Sequence, residues 1–68
     1  MSIVKIVEII GTSEKGWEDA VKQGVQRTSQ TVENITGVEV TAVTAKVTNS
    51  EITEYRATMK IAFQVKTP

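Results

Sequence analysis

Ser13, Ser29 and Ser50 are hydroxyls that could start nucleophilic catalysis, but the chain offers them no partner. It contains no histidine and no cysteine, and activation by lysine would need a buried Lys beside the serine. Two carboxylate pairs come next. Glu14 and Glu18 stand one helical turn apart, and Glu51 and Glu54 border the last apolar run. Solvation and compensation of a helix dipole account for such pairs without any acid–base role. No EF-hand spacing is present, so a calcium site within one chain has no sequence support; the metal ligands, if any, are unknown. Gly11-Thr12-Ser13 ahead of a helical pattern could cradle a phosphate on free N–H groups. It lacks the residues of either nucleotide-binding fingerprint, and a plain turn with Thr12 or Ser13 as helix cap is the simpler reading.

Trp17, Tyr55 and Phe63 are the only aromatic residues. Trp17 falls in the first turn of the predicted helix, where it packs at a core edge, at a subunit contact or on a ligand ring. Tyr55 and Phe63 share the core face of the last strand. Arg56, Lys60 and Lys66 alternate with them on the opposite face. In a single chain those cations form a solvated face; in a closed assembly they could line a pocket or a salt-bridged interface.

These residues must be positioned by very few elements. The chain has 68 residues, with eight Lys+Arg against eight Asp+Glu. Zero net charge gives no field for a polyanion, so nucleic acid is not expected as a partner. An apolar content of 40% with dispersed charge excludes disorder. The apolar runs are too short to span a bilayer and the start has no signal-peptide layout, which predicts a cytoplasmic protein without membrane contact. A core this small is worth about 3–5 kcal/mol, and such domains draw further stability from disulfides, a metal or self-association. Without cysteine or a metal motif, self-association is the expectation, and no obligatory partner of another kind is evident.

The pattern predicts one domain over 1–68, of the α+β class in β-α-β-β order. Ile3–Ile10 is rich in β-branched residues and apolar on both faces, so both faces need cover. A stripe at Trp17, Ala20, Val21, Gly24, Val25, Thr28, Val32 and Ile35 predicts a helix over 14–34, roughly 30 Å long. Val38, Val40 and Ala42 share one face of a second strand. Val43, Ala45 and Val47 follow on the other phase, which predicts a bulge. Thr48-Asn49-Ser50 is a turn, and Tyr55 to Val65 alternates as a strand with one core face. A right-handed crossover and a tight hairpin then give one long helix on a three-stranded antiparallel sheet of order 1-3-2.

The Gly11-Thr12-Ser13 turn, the Trp17–Ala20–Val25 stripe and the closing Tyr55-Arg56-Ala57-Thr58-Met59-Lys60-Ile61-Ala62-Phe63 resemble the dodecin family across nearly the whole chain. The resemblance implies a homododecamer, a hollow shell that stores or sequesters a small ligand without catalysis. In flavin-binding dodecins a tryptophan and a glutamine hold the flavin at subunit contacts. Here those positions fall on Gly37, which has no π face, and on Arg56, which donates hydrogen bonds but accepts none. With Trp17-Glu18 opening the helix, the sequence more closely resembles the calcium dodecin branch. The resemblance therefore implies an oxygen-seeking cation such as calcium at subunit contacts. A flavin in an altered pocket at Gly37 and Arg56, or a shell with no ligand, are the alternatives.

Overall fold

The computed structural model describes residues 3–65. Its elements run β1 (Ile3–Ser13), α1 (Trp17–Thr28), β2 (Ile35–Thr48) and β3 (Glu51–Val65). The sheet order is β1-β3-β2, with β3 antiparallel to both neighbours. The class, order and central strand are those the sequence pattern predicts. Asn49 and Ser50 both have positive φ, 53° and 66°, so the β2–β3 hairpin closes through a two-residue turn whose twist matches its strands.

β2 keeps register with β3 only by slipping. Irregularities lie between Ile35 and Gly37, between Val40 and Ala42, and between Lys46 and Val47. The middle one places the predicted phase change at Thr41, two residues before Val43. Thr41 Oγ1 donates to the Thr58 carbonyl at 3.3 Å, anchoring the bulged residue.

The core is compact. Ala20, Ala57, Met59 and Ile61 are completely buried, and Val7, Ile9, Val21, Val25 and Ile35 pack around them. Two glycines permit this closeness. A Cβ on Gly11 would run into the Ala20 carbonyl oxygen and the Met59 methyl group, and one on Gly24 would meet Met59 Cε at 2.9 Å. Gly11 is therefore required by the approach of the helix, and its backbone is extended strand instead of the predicted turn.

Two further expectations are corrected. Ser13 does not cap the helix: it ends β1, and Gly16 occupies the cap position without a side-chain bond. Ser13 Oγ instead donates to Asp19 Oδ2 at 2.6 Å and accepts from the Lys15 N–H at 2.9 Å. The strand thus continues through Gly-Thr-Ser, and the proposed phosphate cradle has no helix start behind it. The helix is also shorter than 14–34. Its last residues pass into turns at 29–31, Asn34 turns the chain at φ 62°, and Ile35 reaches the core as the first residue of β2. Thr28, Ser29 and Thr31 favour local side-chain bonds over helix, and Ser29 Oγ donates to the Gln26 carbonyl at 2.6 Å.

Length then decides what is covered. A 12-residue helix is about 18 Å long, whereas the molecule extends 54 Å. The helix lies mainly on β1 and β3 and hardly on β2. Val4, Ile6 and Ile10 remain exposed on the outer face of β1, and Val38, Val40 and Val43 remain exposed on β2 although they are in register with the buried Ile61, Met59 and Ala57 on the helix side of the sheet.

Candidate functional site

The face of the sheet turned away from the helix carries the predicted site residues. Alternation along β3 puts Arg56, Thr58, Lys60, Ala62 and Gln64 there, opposite the buried Ala57, Met59 and Ile61. Lys66 of the predicted cationic row lies outside the described residues. Cross-strand pairing extends each β3 position into a row: Ile6–Ala62–Gly37, Glu8–Lys60–Glu39 and Thr12–Arg56–Thr44.

Gly37 and Arg56 share this face but not a pocket. Gly37 pairs with Ala62, six residues from Arg56 along β3, or roughly 20 Å at about 3.3 Å per residue. One chain does not bring the two together. A Cβ on Gly37 would meet nothing within 4 Å, so the space over that position is open. Arg56 is already engaged, its Nε donating to Glu54 Oε2 at 2.8 Å. Glu54 was legible only as a surface carboxylate. Its position two residues before Arg56 on the same face of β3 is the signal that marks it as the partner.

Acidic residues are dispersed. Lys60 lies in register between Glu8 and Glu39, Glu18 pairs with Lys22 at 3.4 Å, and Asp19 accepts from Ser13. Among the described residues no group of three or more carboxylates converges as a metal cage would require. The all-oxygen donor set suits calcium in kind, but calcium takes six to eight oxygen ligands, and the described acidic residues do not gather to supply them.

Trp17 sits at the junction of three elements. Its ring meets Tyr55 edge to face, with centroids 4.9 Å apart and planes at 82°, and its Nε1 donates to the Thr44 carbonyl at 2.9 Å. With both ring and N–H engaged inside the chain, Trp17 is a core-edge residue whose remaining exposure is 39%.

A β-α-β-β order, an antiparallel sheet of order β1-β3-β2 packed on one helix and uncovered apolar rows define the class of this small α+β domain. Residues 3–66 match the Dodecin family, and the chain belongs to it. It is 32% identical over 66 residues to the calcium dodecin of Mycobacterium tuberculosis, covering 97% of this chain and 93% of that one. To the dodecin of Thermus thermophilus it is 27% identical, covering 94% and 93%. The backbone superposes on dodecin from Streptomyces davaonensis with a TM-score of 0.94 at 30% identity, over 97% of both chains. On the calcium-chelating calcium dodecin of Mycobacterium tuberculosis the TM-score is 0.83 at 29% identity, again over 97% of both. Identity does not separate these relatives, at 32% and 29% for the calcium dodecin and 27% and 30% for the other two, whereas the backbone lies nearer to that of the Streptomyces dodecin.

Proposed function

We propose that this chain is a non-catalytic, cytoplasmic small-ligand storage protein that assembles as a homododecameric shell and holds a cation such as calcium where copies meet. One observation carries the assembly. The apolar rows Val4–Ile6–Ile10 on β1 and Val38–Val40–Val43–Val47 on β2 are exposed in a chain too short to cover them. Burying apolar area at about 25 cal/mol per Å² offsets the small core. The cation reading rests on the oxygen-only donor set and on the similarity to calcium dodecin. Since carboxylates do not converge among the described residues of one chain, this reading draws the donors from different copies.

A second reading, a flavin in an altered pocket, is favoured by the open space over Gly37. Against it stand the missing aromatic face and the engagement of Arg56 by Glu54.

Native mass spectrometry of the purified chain tests the assembly: the expected mass is near twelve times 7.4 kDa, with any retained metal or flavin as excess. A monomer or dimer would overturn it. Calcium should raise the melting temperature and a chelator reverse the rise, because a ligand of the native state stabilises that state. Quenching of added riboflavin fluorescence without a calcium response would transfer the assignment to flavin. Neither response would leave a shell without these ligands.

A further inference from the structure

A groove of about 440 Å³ runs between α1 and β1, on the side of β1 that pairs with no strand of its own chain. That volume falls within the range of small-molecule sites. Its floor is made by Gly11 and Gly24, the two buried glycines at which helix and strand approach most closely. Ile9 gives it an apolar side, and Gln23, Arg27 and Thr28 line it from the helix, while Ile10 contributes to its rim with its side chain on the outer face. Gly37 and Arg56, on the outer face, take no part in it.

Arg27 distinguishes this groove from a mere crevice. Arg56 is paired with Glu54 and Lys22 with Glu18, but Arg27 has no carboxylate partner among the described residues. A cation in the last turn of a helix complements the carbonyl ends there, which accounts for its charge. It does not account for the surroundings, a guanidinium beside an amide, a hydroxyl and the Ile9 side chain around one concavity. Gln23 and Arg27 stand four residues apart, so both project from one face of the helix. A guanidinium binds a carboxylate through two parallel N–H bonds, and Ile9 suits an apolar body.

We infer that this groove is a second binding site, for a small amphipathic carboxylate whose head lies on Arg27 and Gln23 and whose apolar body lies against Ile9 and over Gly11 and Gly24. It is complete within one chain and independent of the ligand held between copies.

Saturation-transfer NMR on the full-length assembled protein, with naphthalene-2-carboxylate and the neutral naphthalene-2-carboxamide as probes, tests the inference. The carboxylate should bind, and the amide roughly tenfold more weakly or not at all. Arg27→Gln keeps helix propensity and should weaken the carboxylate roughly ten- to a hundredfold. Gln23→Glu should weaken it too, since it supplies a carboxylate at i,i+4 that engages Arg27 from within. Lys22→Gln, which removes an equal charge off the groove, should leave the affinity unchanged. Equal binding of both probes, no binding of either, or an unaltered affinity in both groove variants would each overturn the site. Native mass of every variant checks that the assembly is intact. Calcium response is read separately, so loss of one site is distinguishable from loss of the other.

Discussion

The indole N–H of Trp17 is bonded to the main-chain oxygen of Thr44 at 2.9 Å, tying the first residue of the helix to an edge strand 27 residues later. It is the side-chain hydrogen bond by which α1 reaches β2, which the helix otherwise barely touches. The long hairpin is held to the helix at one end by Trp17 and at the other by Ile35 in the core.

Trp17→Phe retains much of the ring contact with Tyr55 and removes the donor, so it should cost about 0.5–1.5 kcal/mol. Trp17→Ala removes both and should cost about 2 kcal/mol, less than a fully buried tryptophan because the residue is 39% exposed. Urea unfolding followed by circular dichroism at fixed protein concentration measures both. Equal costs would mean that the ring contact contributes nothing, and a costless Trp17→Phe would mean the same of the hydrogen bond.

The glycines separate by what stands in front of them. Gly11→Ala drives a methyl group against the Ala20 carbonyl oxygen, which is backbone and cannot swing aside, so the loss should exceed about 3 kcal/mol. Gly24→Ala meets the flexible end of Met59 and gains about 1 kcal/mol of helix propensity, leaving a net loss of about 1–2 kcal/mol. Gly37→Ala meets nothing within 4 Å and should lie within about 0.5 kcal/mol of the parent. The same urea series ranks the three, and any other order contradicts the packing described above.

Much of this was legible in the sequence. Strict alternation in Tyr55–Val65 identified β3 as the strand with one core face, and the unbroken apolar character of Ile3–Ile10 pointed to a strand wanting cover on both sides. The helix was read too long because Val32 and Ile35 continue its spacing. Periodicity cannot tell a helical residue from one that reaches the same core out of the next strand. Ser13 was misread because Gly-Thr-Ser before a helix reads as a cap, while its bond to Asp19 depends on where the strand ends. The 20 Å separating Gly37 from Arg56 needed the register, which bulges had shifted. A groove between Arg27 and β1 needed the position of the helix over the sheet.

Charge placed on the uncovered rows should break the assembly before it breaks the fold. Ile6 is 61% exposed in the chain, so Ile6→Glu should cost about 1 kcal/mol or less within one chain. At a contact between copies the same carboxylate would be buried unpaired, at a cost of several kcal/mol per copy. Native mass and gel filtration should report smaller species that keep their circular dichroism. An intact assembly in both Ile6→Glu and Val40→Lys would remove these rows from the contacts.

The double variant Gly37→Trp with Arg56→Gln should gain flavin binding, and the geometry adds a condition to that outcome. Gly37→Trp enters open space and supplies a π face worth about 1–3 kcal/mol of stacking. Arg56→Gln releases Glu54 and presents an amide that can accept as well as donate. The two positions remain roughly 20 Å apart along β3 in one chain, too far for one flavin ring to touch both. Any site they form must therefore unite Trp from one copy with Gln from another. Riboflavin fluorescence should be quenched by the double variant in its assembled form, and each single variant should quench less. Adding Ile6→Glu to the double variant should abolish quenching together with assembly. If dissociated chains still quench, the site lies within one chain and the intersubunit reading fails; if the assembled double variant does not quench, Gly37 and Arg56 are not pocket positions.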